Sequence, residues 1–271
     1  MYNEDEQFKE FMAAYQELID NDYNELEELR LDMLKKYQLK QVISLIIIMI
    51  GIAIYLLIIT KMSFDLGFEL ILAILFAIIF FLPVYSYLSG AEKEYRTLLK
   101  LRLLPYLLKT FGDIKYRVLN AVANSEEGYI LGLSDYWNVM MDDKFEGEYN
   151  NLKFQIYEGY MTPRRYAFIG MVFPKRLSIV FTNLKNSEIK RLSRDFYDKL
   201  DAFSRILYSE GDIKVEMKQE KVIISMWTKR DVFEVGELKT PLRESGSIYR
   251  LYNDLNFIYK IIDLIQIEED L

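Results

Sequence analysis

Apolar residues change their spacing several times along this chain, and each change marks a different kind of segment. Between residues 4 and 39, Phe8, Phe11, Tyr15, Leu18, Asp22, Leu26, Leu29 and Met33 recur at steps of three and four, alternating except for the two fours that flank Asp22. That heptad spacing predicts one long amphipathic helix, broken only at Asp22. No proline or glycine interrupts it, and Glu10, Glu17, Glu25, Glu27 and Glu28 occupy its other faces. The stripe can pack on a helix of the same chain or in a homo-oligomeric coiled coil; a tethered neighbour favours the first.

From Val42 the polar positions vanish. Val42 to Thr60 is a run of 19 residues without a charge, nine of them isoleucine, and Leu70 to Ala91 is a second uncharged run of 22. About 20 apolar residues rising 1.5 Å each span a hydrocarbon layer of roughly 30 Å. Two runs predict two membrane helices, because helices apolar on every side belong in lipid when they reach that length. The nine residues Lys61 to Glu69 between them force an antiparallel hairpin. Pro83 sits late in the second run, where membrane helices tolerate proline. Forty largely polar residues precede the first run, so it reads as an anchor rather than a cleaved signal peptide.

Basic residues set the expected orientation. Arg30, Lys35, Lys36 and Lys40 precede the first run, and Lys93, Arg96, Lys100, Arg102 and Lys109 follow the second, while the intervening loop holds only Lys61. Lys and Arg favour the cytoplasmic side. Both termini are therefore expected in the cytoplasm, in a multi-pass protein of the inner membrane.

Beyond the second run, Tyr95, Leu98, Leu99, Leu103 and Leu107 continue a helical stripe to Gly112. A short helix is expected over Ile114–Val122 and a loop over Asn124–Gly128. From Phe145 the period moves towards two. Phe154–Glu158 alternates, and Tyr166–Phe173 and Leu177–Thr182 are short apolar runs suited to strands. Ser187–Ser209 returns to helical spacing. Ile213–Lys218 and Lys221–Trp227 flank a two-residue connection and predict a hairpin, and Ser245 or Ser247 opens a final helix to about Ile267. Strands followed by helices suggest an α+β domain with an antiparallel sheet. The expected architecture is a membrane-anchored α+β protein: an amphipathic helix (1–40), a two-span hairpin (41–91), a helical stalk (92–125) and a cytoplasmic α+β domain (126–271).

The stretch from Asp142 to Gly159 and the run Tyr166–Phe173 resemble a bacterial membrane-protein family, the domain of unknown function 3137. Asp143, Phe145, Gly147, Phe154, Glu158, Phe168 and Gly170 occupy the pattern, and Val222–Val235 is similar to the family's final hairpin. The connection between Thr182 and Ser187 is shorter than in relatives, which bears on the number of strands. The resemblance implies an envelope-associated bacterial protein and no particular activity.

Composition removes much familiar chemistry. The chain has no cysteine and no histidine. Thiolate nucleophiles, disulfides, imidazole bases and Cys/His zinc sites are excluded. Phosphate-cradling glycine motifs and the nucleophile elbow are absent from its twelve glycines. Asp142, Asp143, Glu146 and Glu148 could offer oxygen ligands to Mg²⁺ or Ca²⁺, but their spacing is not that of an EF-hand, and a solvated acidic turn gives the same sequence. Glu158 ends an apolar alternation, and Arg164 or Arg165 is its expected partner. No catalytic, cofactor or metal set emerges.

Net charge is −7, which disfavours nucleic acid as a partner. Yet residues 162–194 hold eight bases (Arg164, Arg165, Lys175, Arg176, Lys185, Lys190, Arg191, Arg194) and one acid, Glu188. Arg164, Arg165, Lys175 and Arg176 are the candidate contacts to anionic lipid or to a partner, at about 1 kcal/mol per base near the bilayer; a solvated face neutralised by nearby acids is the plainer alternative. The sequence thus predicts an interaction or scaffolding module near the inner leaflet, with a protein partner or a homo-oligomer. The alternative is a membrane-tethered carboxylate enzyme using a divalent metal.

Overall fold

The computed structural model describes residues 4–61, 66–131, 137–163, 175–182, 193–207, 213–218, 221–228, 230, 232–244 and 246–269. Helix α1 is continuous from Glu4 to Lys61, and α2 runs from Leu66 to Leu107. At 1.5 Å per residue the 58 residues of α1 reach about 87 Å. Arg102 pairs with Glu25, the Lys40 ammonium lies over the Tyr87 ring, and Tyr55 packs on Phe76. One number rises as the other falls, so the two helices form an antiparallel hairpin. Gly51 permits their closest approach, since a Cβ there would stand 2.8 Å from Phe80 and 2.9 Å from Phe76.

The polar half of α1 is part of the domain core. Phe11, Tyr15, Leu18, Leu26 and Met33 of the heptad stripe are buried, Phe8 and Leu29 are half-buried, and Asp22 is exposed. Ile19 and Arg30 complete the buried strip. The stripe meets Tyr95, Leu99, Leu103 and Leu107 of α2 in one apolar cluster. Tyr15 also donates to the Leu242 carbonyl, at 3.0 Å, and Arg30 to the Leu238 carbonyl, at 2.9 Å. The buried face of α1 therefore shares one apolar cluster with α2 and the sheet.

After α2 comes a 3-10 turn, Leu108–Phe111, closed by Gly112 at φ 112°. The segment expected to form a helix over Ile114–Val122 is instead strand β1, Lys115–Val122. Ile114, Tyr116 and Val118 alternate with Lys115 and Arg117, a period of two that a neighbouring strand can use. The segment expected as a loop, Asn124–Gly128, is instead the cap and first part of helix α3, Ser125–Ile130. Asn124 accepts from the Glu127 N–H, and the Glu127 carboxylate accepts from the Asn124 N–H, both at 2.9 Å. That reciprocal cap stabilises a helix otherwise too short to persist.

Strands β2, Trp137–Tyr149, and β3, Leu152–Pro163, meet at Asn150-Asn151, with φ 51° and 66°. Two left-handed residues make the hairpin turn whose twist matches the strands. Strand β4 is Lys175–Thr182, helix α4 Arg194–Leu207, strands β5 and β6 Lys214–Lys218 and Lys221–Thr228, and helix α5 Ser247–Glu269. The expected strand at Tyr166–Phe173 and the connection after Thr182 lie outside the described residues. The sheet is antiparallel throughout, in the order β1-β2-β3-β4-β6-β5. One face carries Phe145, Phe154, Ile156, Leu177, Ile179, Phe181 and Ile224, packed against the helices in the main core. The other face has a smaller cluster of Ile130, Leu131, Val139, Met141, Tyr157, Val180 and Ile223. The α+β class with an antiparallel sheet follows.

One described helix, α1, is long and apolar enough to cross a membrane. Its most apolar 18-residue window has mean hydropathy 3.2 and is 11% buried.

Candidate functional site

A backbone irregularity builds a charged interior between α2 and the sheet. In the β2–β3 ladder Met141 pairs with Gly159, yet Asp143 pairs with Glu158. Asp142 is the extra residue of a β-bulge, which turns side chains that would otherwise alternate. Before the bulge, Val139 and Met141 join the smaller cluster; after it, Phe145 joins the core beneath the helices. Both aspartates consequently reach the same group of cations. Carboxylate oxygens of Asp142, Asp143 and Glu158 lie within 4.8 Å of one another.

Helix α2 supplies the opposing charge. Lys100 Nζ donates to Asp143 Oδ2 at 2.5 Å, and the Tyr116 hydroxyl on β1 donates to Asp143 Oδ1 at 2.6 Å. Lys175 on β4 donates to Asp142 Oδ2 at 2.7 Å, and Lys93 stands 4.0 Å from Asp142 Oδ1. Arg96 pairs with Glu234 at 2.6 Å. Burial alone would depress the Lys100 ammonium, but Asp143 and Glu158 hold it above its ordinary value. Burial likewise opposes ionisation of Asp142, and Lys175 outweighs it, so that carboxyl is held low.

Glu158 differs. Its residue is 0% exposed. Oε1 accepts from the Val232 N–H at 2.9 Å, while Oε2 has no hydrogen-bond partner among the described residues. Burial pushes its pKa up to about 7, against the pull of Lys175 and Lys100 and with the help of Asp143. Burial also raises Glu234, opposed by Arg96. The next amide, Phe233 N–H, donates to Asp254 Oδ2 on α5 at 3.0 Å, and Arg230 grips both Asp254 oxygens at 2.5 and 2.9 Å. Two buried carboxylates thus hold consecutive amides of one turn, at which Phe233 adopts φ 60°.

Sequence reasoning singled out Asp142, Asp143 and Glu158, and the structure brings them together. It corrects their setting: Asp142–Glu148 lies within β2 and is no solvated turn. Glu146 pairs with Lys144 and accepts from Gln155, and Glu148 is exposed, so neither joins the cluster. The described partners of Glu158 are Val232 and the field of two lysines; Arg164 and Arg165 lie outside the described residues. Lys175 and Arg176 do not form one patch, because consecutive strand residues face opposite sides. Lys175 enters the ionic cluster, and Arg176 stacks on Trp227 across the sheet, 4.9 Å from the ring centroid. Lys100, Tyr116 and Glu234 join the cluster from distant elements, outside the candidate residues that spacing singles out. A signal did exist: Lys100 interrupts the apolar stripe of α2 beside Leu99 and Leu103.

The three carboxylates suit a hard cation by donor type. Lys100 and Lys175 already neutralise two of them, so the arrangement works as an ionic junction between helix hairpin and sheet. No protein-family model, no curated protein and no solved structure matches this chain. Fold and junction define an α+β domain built onto a helical hairpin.

Proposed function

We propose that this chain is a two-span protein of the bacterial cytoplasmic membrane whose α+β domain serves as an interaction or scaffolding module beside the inner leaflet, with both termini in the cytoplasm. The observation that carries the reading is the apolar sleeve on the hairpin. Leu45, Met49, Ile50, Leu56 and Leu57 of α1 and Ile71, Ile74 and Leu75 of α2 are each at least half exposed. Water would penalise such a surface by about 25 cal/mol per Å². The second apolar run lies along the first through Tyr55–Phe76, which supports a pair of spans. Basic residues flank the sleeve on the domain side.

Membership of the domain of unknown function 3137 family belongs to the same proposal. Its support is that Asp143 and Glu158 of that pattern meet in the junction, while Phe145 and Phe154 fill the core beside it. The ionic junction fixes α2 to the sheet, so the domain moves with its anchor. Reporter fusions after residue 65 and at the C-terminus test the topology: opposite sides of the membrane are expected. The same side for both overturns it.

The carboxylate cluster is the one observation favouring a divalent-metal enzyme. Mg²⁺ stabilisation that disappears in Asp142→Asn/Asp143→Asn supports that reading; loss of stability in the variant without any metal effect supports the junction.

A further inference from the structure

Among the described residues, the face of the sheet turned away from the helices holds a cation with no paired anion. Arg176 is 7% exposed, and its Nε has no hydrogen-bond partner among the described residues. Among the described residues no carboxylate lies within ion-pair distance of it. The acid whose field it feels is Glu216 on β5, which is itself engaged by Lys214 and by the Tyr129 hydroxyl, at 2.8 Å. Burial therefore depresses the guanidinium below its ordinary pKa. Glu158 is no partner, since it faces the helices. Removing a charge from water without a counter-charge is among the most costly arrangements in a fold.

The neighbours of Arg176 are donors or flat surfaces, not acceptors of choice. Trp227 stands directly opposite on β6, and the guanidinium carbon lies over its ring, 4.9 Å from the centroid. Ser178, two residues along β4 and so on the same face, is fully buried, and its hydroxyl has no partner among the described residues. On the other side Arg176 pairs with Gly159, over which Leu131 closes so tightly that a Cβ would stand 2.8 Å from its methyl. A buried guanidinium whose Nε–H has no acceptor among the described residues, a buried hydroxyl on the same face of the strand and an aromatic ring beside them match a tetrahedral oxyanion.

We propose that Arg176, with Ser178 and Trp227, forms a binding site for a phosphate-type oxyanion. The site lies at the end of the sheet nearest the apolar half of the hairpin. Lys175 reaches Asp142, which Lys93 also approaches, and Lys93 is two residues beyond Ala91. A lipid headgroup and a soluble phosphate share the required chemistry. The assignment stands on this face of the sheet alone and does not depend on the membrane reading.

The test uses the full chain in detergent micelles, titrated with inorganic phosphate and read by thermal melting and tryptophan fluorescence. The chain has two tryptophans, and Trp227 lies against Arg176. Phosphate should raise the melting temperature saturably and change the emission. Arg176→Met should melt higher than the wild type in phosphate-free buffer, because it removes an uncompensated charge, and should be indifferent to phosphate. Arg176→Lys should fold but bind roughly tenfold more weakly, having lost the fork. Lys199→Met, on the exposed face of α4, should respond like the wild type. A second arm places the protein in nanodiscs with or without phosphatidic acid. Saturation by the lipid without added phosphate assigns the headgroup as the source; a response to free phosphate alone assigns a soluble anion. A wild type unaffected by phosphate and by phosphatidic acid, or an Arg176→Met variant that still responds, overturns the site.

Discussion

Lys100 Nζ on α2 stands 2.5 Å from Asp143 Oδ2 on β2, with both residues buried and 43 positions apart in sequence. This pair joins the helix that descends from the hairpin to the bulged strand of the sheet. Two charges leave water together, and the Tyr116 hydroxyl satisfies the second carboxylate oxygen. Breaking one partner of such a pair strands the other in a dry site. Lys100→Met should therefore destabilise the protein by about 3–5 kcal/mol, while Lys100→Met/Asp143→Leu should recover most of that loss. A double-mutant cycle on melting temperature, calibrated by denaturant unfolding, measures the coupling. Additive effects of the two substitutions would contradict it.

The pH dependence has a defined sign. Glu158 holds its proton to about pH 7 in the folded protein, against an ordinary value of 4.5. Between those values the folded state binds a proton that the unfolded chain has released. Stability must then fall as pH rises through the window, by at most about 1.4 kcal/mol per unit, and level off above it. The raised pKa of Glu234 adds in the same direction. Asp142 acts oppositely and lower: its depressed pKa contributes stability above its ordinary value that is lost on acidification below about pH 4. Melting temperature recorded from about pH 5 to 8 should decline in the wild type and flatten in Glu158→Gln. A wild-type curve that climbs towards pH 7 would show Glu158 ionised throughout.

The register of the hairpin can be read by cross-linking, since the chain contains no cysteine of its own. Tyr55 and Phe76 have ring centroids 5.2 Å apart. Cysteines introduced at 55 and 76 should join with a short bifunctional reagent in native membranes. Cysteines at 47 and 76 are separated by about two helical turns, roughly 12 Å, and should not. Equal yields for the two pairs would overturn the pairing.

The turn between β2 and β3 requires left-handed backbone at two successive residues, Asn150 and Asn151. Asn151→Val should cost about 1–3 kcal/mol, because a β-branched side chain is strained at positive φ. Asn151→Gly should be neutral or stabilising. Denaturant unfolding of the two variants gives the comparison, and a tolerated valine would show that the turn has another form.

Spacing alone determined the long helices, the final helix, the β5–β6 hairpin and the α+β class, because period and length are local properties of a chain. Phe11, Tyr15, Leu18, Leu26 and Met33 announced the buried face of α1 for that reason. The Asn124–Glu127 cap is equally local, since an Asn followed three residues later by a Glu is its whole signature. Other features were decided only by tertiary structure. Residues 115–122 became a strand because a partner strand lay beside them. One extra residue at Asp142 placed two consecutive aspartates before the same lysines. The opposite faces of β4 parted Lys175 from Arg176. Each of those outcomes depends on which groups a distant element brings within a few ångströms, where burial removes the water that would otherwise screen their charge.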